Sequence, residues 1–222
     1  MISDVFNMDC LEYMRNIPDK FFDLAIADPP YGIGRDGQKE TKGKNPKHNR
    51  KFFENKGWDK HAPDEEFFSE LFRISVNQVI FGANHFISKI PFDSPCWIVW
   101  DKGQKGLTMA DCELAWTSYN RPARIFLLNR VALLKEGTIH PTQKPVSLYG
   151  WILKNYAIGG GKIFDPMMGS QSSRIAAYKM GFDFWGCELD EEYFKLGCER
   201  FEKECKGIVN VDGIMVEQKT LF

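Results

Sequence analysis

Asp28-Pro29-Pro30-Tyr31 follows directly on the apolar run Asp23-Leu24-Ala25-Ile26-Ala27, a placement that reads as the carboxyl end of a buried strand. Two successive prolines fix φ and remove two backbone donors, so the turn presents carbonyl oxygens and the Asp28 carboxylate with no competing N–H. That is an acceptor site for an amino group. A ring amine such as adenine N6 is a poor nucleophile because its lone pair is delocalised. Two acceptors gripping its hydrogens, here Asp28 and the Pro29 carbonyl, favour pyramidalisation and free the lone pair. Tyr31 offers a ring on which a base can stack, and a duplex base reaches such a pocket only by flipping out. Alone, the tetrapeptide also fits a Pro-rich turn that merely ends a strand.

A second constellation is Phe164-Asp165-Pro166-Met167-Met168-Gly169-Ser170, set between a strand and a helix that starts near Ser172. A glycine turn running into a helix N-terminus lets backbone approach a ligand and offers N–H groups to a carboxylate. About twenty residues on, Glu188 ends another strand, where an acidic side chain takes both hydroxyls of a ribose. A plain tight turn explains the glycine alone equally well; the acid at that distance favours a ligand site.

These blocks, with two more, closely resemble the β-group of amino-methylating DNA methyltransferases, whose motif order is a circular permutation of the usual cofactor-first arrangement. Asn7-Met8-Asp9-Cys10-Leu11-Glu12 and the strand ending in Asp28-Pro29-Pro30-Tyr31 are similar to the family's cofactor-adenine contact and catalytic motif. His140-Pro141-Thr142-Gln143-Lys144-Pro145 resembles its cofactor-binding block, and the stretch from Ile163 to Ser170 with Gly186-Cys187-Glu188-Leu189-Asp190 resembles its methionine and ribose contacts. The resemblance implies S-adenosyl-L-methionine as cofactor and DNA adenine N6 as acceptor, with direct in-line transfer and no cysteine nucleophile. It implies Asp28, Pro29, Pro30 and Tyr31 as the catalytic set. Asp9 and Cys10 would meet the cofactor's adenine. Lys144 and Thr142, with His140, would meet its methionine side, Phe164, Asp165, Gly169 and Ser170 the methionine, and Glu188 the ribose. One departure stands out. Where the family has Gly-Ser-Gly-Thr-Thr, this chain has Gly169-Ser170-Gln171-Ser172-Ser173, so a bulky side chain occupies a position where close approach or positive φ is expected. Ser172 and Ser173 still supply capping oxygens for the helix.

The elements that must position these residues alternate. Strands are expected at 4–8, 23–27, 78–82, 96–100, 124–129, 162–164 and 184–188, and helices at 64–76, 145–156, 172–180 and 191–204, with Asp190 an N-cap and Gly181 a helix stop. This alternation predicts a doubly wound, mostly parallel seven-stranded Rossmann-like α/β sheet, with ligand sites beyond the strand carboxyl ends. The 222 residues, 43% hydrophobic and 27% charged, suit one domain. Within it, 32–60 is expected as a basic DNA-contacting loop, 101–139 as a reduced target-recognition segment (Lys102, Lys105, Arg121, Arg124, Arg130) and 207–222 as a C-terminal tail.

Net charge is −1, yet residues 35–60 carry nine Lys/Arg against four Asp/Glu, so an acidic body bears one basic segment. Lys39, Lys42, Lys44, Lys47, Arg50 and Lys51, interleaved with Phe52, Phe53 and Trp58, suit a strand tracking phosphates. A solvated surface loop is the alternative reading of the same composition. No apolar run approaches the roughly 18 residues of a membrane span, so a cytoplasmic protein with no membrane partner is expected. The six cysteines include no C-x-x-C pair and the four histidines are scattered, so no metal site is expected. Gln218, Leu221 and Phe222 resemble the Gln-x-x-Leu-Phe peptides that dock on the replication sliding clamp, although a terminal tail packed on the core is the preferred reading. The oligomeric state is left open. Three functional rivals remain: cytosine-N4 methylation, whose enzymes more often carry Ser in place of Asp28; more distantly, RNA or glutamine-side-chain methylation, usually associated with Asn there and the unpermuted motif order; and a cofactor-impaired DNA-binding homologue, for which Gln171 is the warrant.

Overall fold

The computed structural model describes residues 1–40, 51–103, 110–128, 137–211 and 214–217. In chain order the elements are β1 (Ser3–Phe6), α1 (Cys10–Arg15), β2 (Phe22–Ala27), α2 (Glu65–Ile74), β3 (Ser75–Phe81), β4 (Trp97–Asp101), β5 (Cys112–Thr117), β6 (Arg124–Leu127), α3 (Val146–Tyr156), β7 (Lys162–Asp165), α4 (Ser172–Lys179), β8 (Asp183–Cys187), α5 (Glu191–Phe201), β9 (Ile208–Val211) and β10 (Ile214–Glu217). Helix starts are written locally. Asp9, Asp64 and Asp190 are N-caps whose carboxylates accept the N–H groups of Glu12, Phe67 and Tyr193 at 3.0, 3.1 and 2.9 Å. Gly181, at φ +77°, closes α4 as expected.

Eight strands form one sheet in the order β1-β8-β7-β2-β3-β5-β4-β6. Every pairing is parallel except the two made by β5, which runs against both β3 and β4. The seven expected strands are all present, and β5 is the eighth. The expected tail at 207–222 contains a two-stranded antiparallel hairpin, β9 with β10.

Side chains of β2 alternate between two cores, as a strand covered on both faces requires. Leu24 and Ile26 pack with Val79, Phe81 and the α3 residues Leu148, Ile152 and Leu153. Ala25 and Ala27 face Ile80, Phe164 and Met14, Phe67 and Leu71 from α1 and α2. The chain leaves β2 toward β3 on one side and β7 toward β8 on the other, so the boundary between β2 and β7 is the topological switch point, and a ligand crevice is expected beyond their carboxyl ends. Among the described residues no helix is long and apolar enough to cross a membrane.

Candidate active site

At that switch point a cleft of about 1390 Å3 opens. Its wall includes Asp9, Cys10, Asp28, Pro29, Pro30, Tyr31, His140, Thr142, Lys144, Gly169, Ser170 and Glu188, so the structure brings together residues expected from three separated blocks. Phe164 and Asp165 stand behind that wall. The Phe164 ring stacks on Phe22 in the core at 4.7 Å. Asp165 is buried, accepting Ser173 Oγ–H (2.5 Å) and the Met167 N–H (3.0 Å), and burial pushes its carboxyl up to about 7.

At one end of the cleft, Glu188 organises the glycine turn. Its Oε2 accepts the Gly169 N–H at 2.7 Å and its Oε1 accepts the Asp190 N–H at 2.9 Å, while burial raises its carboxyl above the ordinary range. The Gly169 N–H expected to meet a ligand carboxylate is therefore used to fix Glu188. A carboxylate has about four lone-pair sites, so each oxygen retains capacity for a hydroxyl. Asn7 Nδ2 donates to the Glu188 and Leu189 carbonyls at 2.7 and 3.1 Å, tying the β1 end to the β8 end, and Leu189 forms an apolar lip that is 70% exposed. The Cys10 thiol is pushed up to about 12 by burial, which keeps it protonated and unsuited to nucleophilic attack. Thr142 Oγ1 lies 3.2 Å from His140 Nδ1, and the His140 ring stacks on Trp58 (5.3 Å) and meets Tyr193 edge-on (4.4 Å). Burial, reinforced by Lys144, lowers His140 to about 3, so its imidazole is neutral. Gln143 holds its own segment, accepting from the Ile139 N–H and donating to the Gly137 carbonyl.

Gln171 does adopt the left-handed conformation, at φ 58°. Its side chain, fully buried, turns away from the cleft and lies over Gly197 of α5, where an added Cβ would fall 2.7 Å from Gln171 Cγ. Its amide donates to the Phe194 carbonyl (3.3 Å) and accepts from Arg174 Nη1 (2.9 Å). The departure from the family pattern is thus absorbed between α4 and α5 and leaves the cleft wall clear. The capping expectation for Ser172 and Ser173 is corrected. Gln171 occupies the N-cap position without a side-chain cap bond, because Ser172 Oγ turns to Ser170 Oγ (3.1 Å) and Ser173 Oγ to Asp165.

At the other end, Tyr31 Oη donates to Asp28 Oδ1 at 2.9 Å and its ring stacks on His85 at 5.3 Å. The ring lies against Gly82, at φ +67°, where a Cβ would fall 2.1 Å from it. Lys144 Nζ ion-pairs with Asp28, reaches Glu113 Oε2 at 3.3 Å and donates to Tyr31 Oη at 3.2 Å, and Glu113 Oε1 pairs with Lys102 at 2.5 Å. Burial pushes Asp28 above the ordinary carboxylate range against the pull of Lys144. Burial also draws the Lys144 ammonium down, but Asp28 and Glu113 outweigh it and hold Lys144 charged. Glu113, Tyr149 and His85 belong to this end of the cleft and carry no local sequence signal.

The described parts of the basic loop fold onto the cleft. Gln38 bridges Phe53, and Asp59 accepts the Gly32 and Arg35 N–H groups at 2.8 and 2.7 Å. Lys39 and Lys51 line the cleft, Lys51 donating to the Thr138 carbonyl at 3.0 Å. Lys56 pairs with Asp190 (2.8 Å) and Glu192 (2.7 Å). Lys42, Lys44, Lys47 and Arg50 lie outside the described residues, as do Lys105, Arg130, Gln218, Leu221 and Phe222. Arg121 turns to the Asn155 carbonyl at 2.9 Å. No cluster of metal-ligating side chains is found among the described residues.

A family model described as DNA methylase, of the N6/N4 type, matches residues 94–199, which contain the His140–Pro145 block and Glu188 and exclude Asp28. The chain is 22% identical over 258 residues to the type II methyltransferase M2.MboI of Moraxella bovis, covering 90% of this chain and 88% of that protein. It superposes with a TM-score of 0.59 on TTHA0409, a putative DNA modification methylase from Thermus thermophilus complexed with S-adenosyl-L-methionine, at 18% identity over 97% of each chain. It superposes equally, at 0.59, on PvuII DNA methyltransferase, described as cytosine-N4-specific, at 12% identity over 93% of this chain and 94% of that one.

Proposed function

We propose that the chain, which an N6/N4 DNA methylase family model matches over residues 94–199, transfers a methyl group from S-adenosyl-L-methionine to the N6 amine of adenine in DNA. The observation that carries this reading is the sharing of one cleft by Asp28 and Pro29 at one end and Gly169 and Glu188 at the other.

The donor set fits the cofactor. The fixed Glu188 oxygens suit vicinal hydroxyls, and Asp9 and the Leu189 lip suit a purine, while the Gly169 N–H is already taken by Glu188. When bound, S-adenosyl-L-methionine supplies an electrophilic sulfonium methyl group. Asp28 Oδ and the Pro29 carbonyl would accept the two hydrogens of the flipped adenine amine and so turn its lone pair out of the ring plane, toward the methyl group. The proton shed by the alkylated nitrogen has the Asp28 carboxylate as its nearest base. Tyr31 contributes a stacking surface, worth about 1–3 kcal/mol per base. The preference for adenine over cytosine rests on the resemblance, since cytosine-N4 enzymes of that group more often carry Ser in place of Asp28. Lys39 and Lys51 at the cleft mouth suit the phosphates flanking the flipped nucleotide.

Incubation with labelled methyl donor and DNA of mixed sequence, followed by nucleoside identification, tests the reading. N6-methyladenine is the expected product. N4-methylcytosine would transfer the assignment to the rival base, and donor binding without any methylated base would leave a DNA-binding protein.

A further inference from the structure

Beside Asp28 the charges alternate in sign: Lys102, Glu113, Lys144 and Asp28, closed by the Tyr31 hydroxyl. The transfer chemistry above uses Asp28 and leaves Glu113 without a role. Resting on that reading, we propose that Glu113 is a positioning residue for the reaction: it retains the Lys144 ammonium when Asp28 gives its oxygens to the substrate amine.

The geometry carries this in three steps. Lys144 is 3% exposed at the side chain, so water does little to solvate its ammonium, which needs a carboxylate partner. An ammonium seated on Asp28 occupies that carboxylate and weakens it as an acceptor, in direct competition with the amine it must hold. Glu113 supplies the alternative seat. It spends Oε1 on Lys102 and turns Oε2 to Lys144 at 3.3 Å, a separation with room to shorten as Lys144 moves off Asp28. The aromatic faces around the ammonium, Phe81 at 4.7 Å and Tyr31 at 5.6 Å, favour a cation along the short path between the two carboxylates.

Topology explains why a residue so far away in sequence stands there. β5 runs against its neighbours, with Ala115 paired to Phe81, so its first residues rather than its last reach the carboxyl edge of the sheet. A parallel strand in the same slot would present its final residues to that edge instead.

Asp28 is faced by Tyr31 from its own turn, Lys144 from the segment before α3, Tyr149 from α3, Glu113 from β5 and Asp165 from β7. Replacing Glu113 with an uncharged isostere leaves Lys144 undivided on Asp28. Asp28 then becomes both a weaker acceptor and a stronger acid.

The test uses the full chain, donor and substrate DNA, and measures single-turnover methyl transfer against pH together with donor affinity by calorimetry. Glu113→Gln is expected to slow transfer roughly tenfold or more, to move the acid limb of the profile down by about half a pH unit or more, and to leave donor affinity within about threefold. Glu113→Asp keeps the charge and is expected to lie between Gln and wild type on both readouts. It carries the test by itself if Glu113→Gln does not fold. Wild-type rates in both variants, or slowed transfer with an unmoved acid limb, overturn the proposal. Wild-type enzyme that yields no methylated amine sinks the transfer reading and this proposal with it, whereas methylated product with an unaltered Glu113→Gln sinks this proposal alone.

Discussion

The two ends of the cleft are built by different means. At the Glu188 end, order comes from backbone hydrogen bonds between segments a few residues from a strand end: Gly169 N–H and Asp190 N–H on one carboxylate, and an aspartate cap at the start of α5. At the Asp28 end, order comes from charged side chains delivered by β2, β5 and the His140–Pro145 segment, with Asp28 and Lys144 more than a hundred residues apart. The first design fixes one buried carboxylate with backbone donors. The second is an electrostatic balance that a substrate amine can re-partition.

The largest effect is expected where the balance is broken outright. Asp28→Ala should lower single-turnover methyl transfer on the order of a thousandfold or more, while donor affinity stays within about tenfold, since the lost interactions are made to the acceptor base. Rate and calorimetry together check this, and a comparable loss of donor affinity would show that the two ends are not separable. Gly82→Ala attacks the same end through packing. Its Cβ would fall 2.1 Å from the Tyr31 ring at a positive φ, so a loss of about 1–3 kcal/mol in denaturant melts is expected, along with weaker DNA binding at unchanged donor affinity.

The Glu188 end is tested through the seat of its turn. Gly197→Ala places a methyl 2.7 Å from Gln171 and should cost about 1–2 kcal/mol, whereas Gln171→Gly in the same chain removes both the clash and the left-handed strain. The double variant should therefore melt above the Gly197→Ala single, and strict additivity would contradict the packing described.

A subtler difference lies in pH. Asp165 titrates near 7 in the folded chain against an ordinary value of 3.8, so the fold binds that proton more tightly than the unfolded chain does. Its contribution is fully present below about pH 4 and is lost as pH rises toward 7. Asp165→Asn removes the dependence, so its melting temperature should gain on wild type across that window and then run parallel. The smallest effect is expected at Lys56, whose partly exposed pairs with Asp190 and Glu192 fasten the basic loop: Lys56→Ala should cost about 0.2–1 kcal/mol, less at high salt.

The same contrast decides what is legible in the sequence. The Glu188 end follows from a strand, a glycine turn and an acid about twenty residues on, all of them local signals, and the seven parallel strands follow from short apolar runs. β5 escapes such a reading because Cys112–Thr117 carries a glutamate at its second position and an alanine at its fourth, and has neither a clean apolar run nor a period-two pattern. Glu113 escapes with it, since its meaning depends on an antiparallel slot that no local pattern announces. α1, six residues long, is too short for a helical period to show. Asp165 reads as a ligand contact because its place in the motif is visible, while its partner Ser173 on the next helix is not. The basic run reads as free charge for phosphates because composition does not register that Lys56 is already paired.

The seating of Gln171 over Gly197 has a consequence for anyone moving parts between such proteins. A bulky residue in a turn that usually carries glycine works here only because the facing helix leaves a notch of matching depth. The two positions, 26 residues apart in sequence, behave as one unit of exchange. Transplanting the turn without the notch should jam the recipient, and widening the notch in a recipient first should make the graft silent.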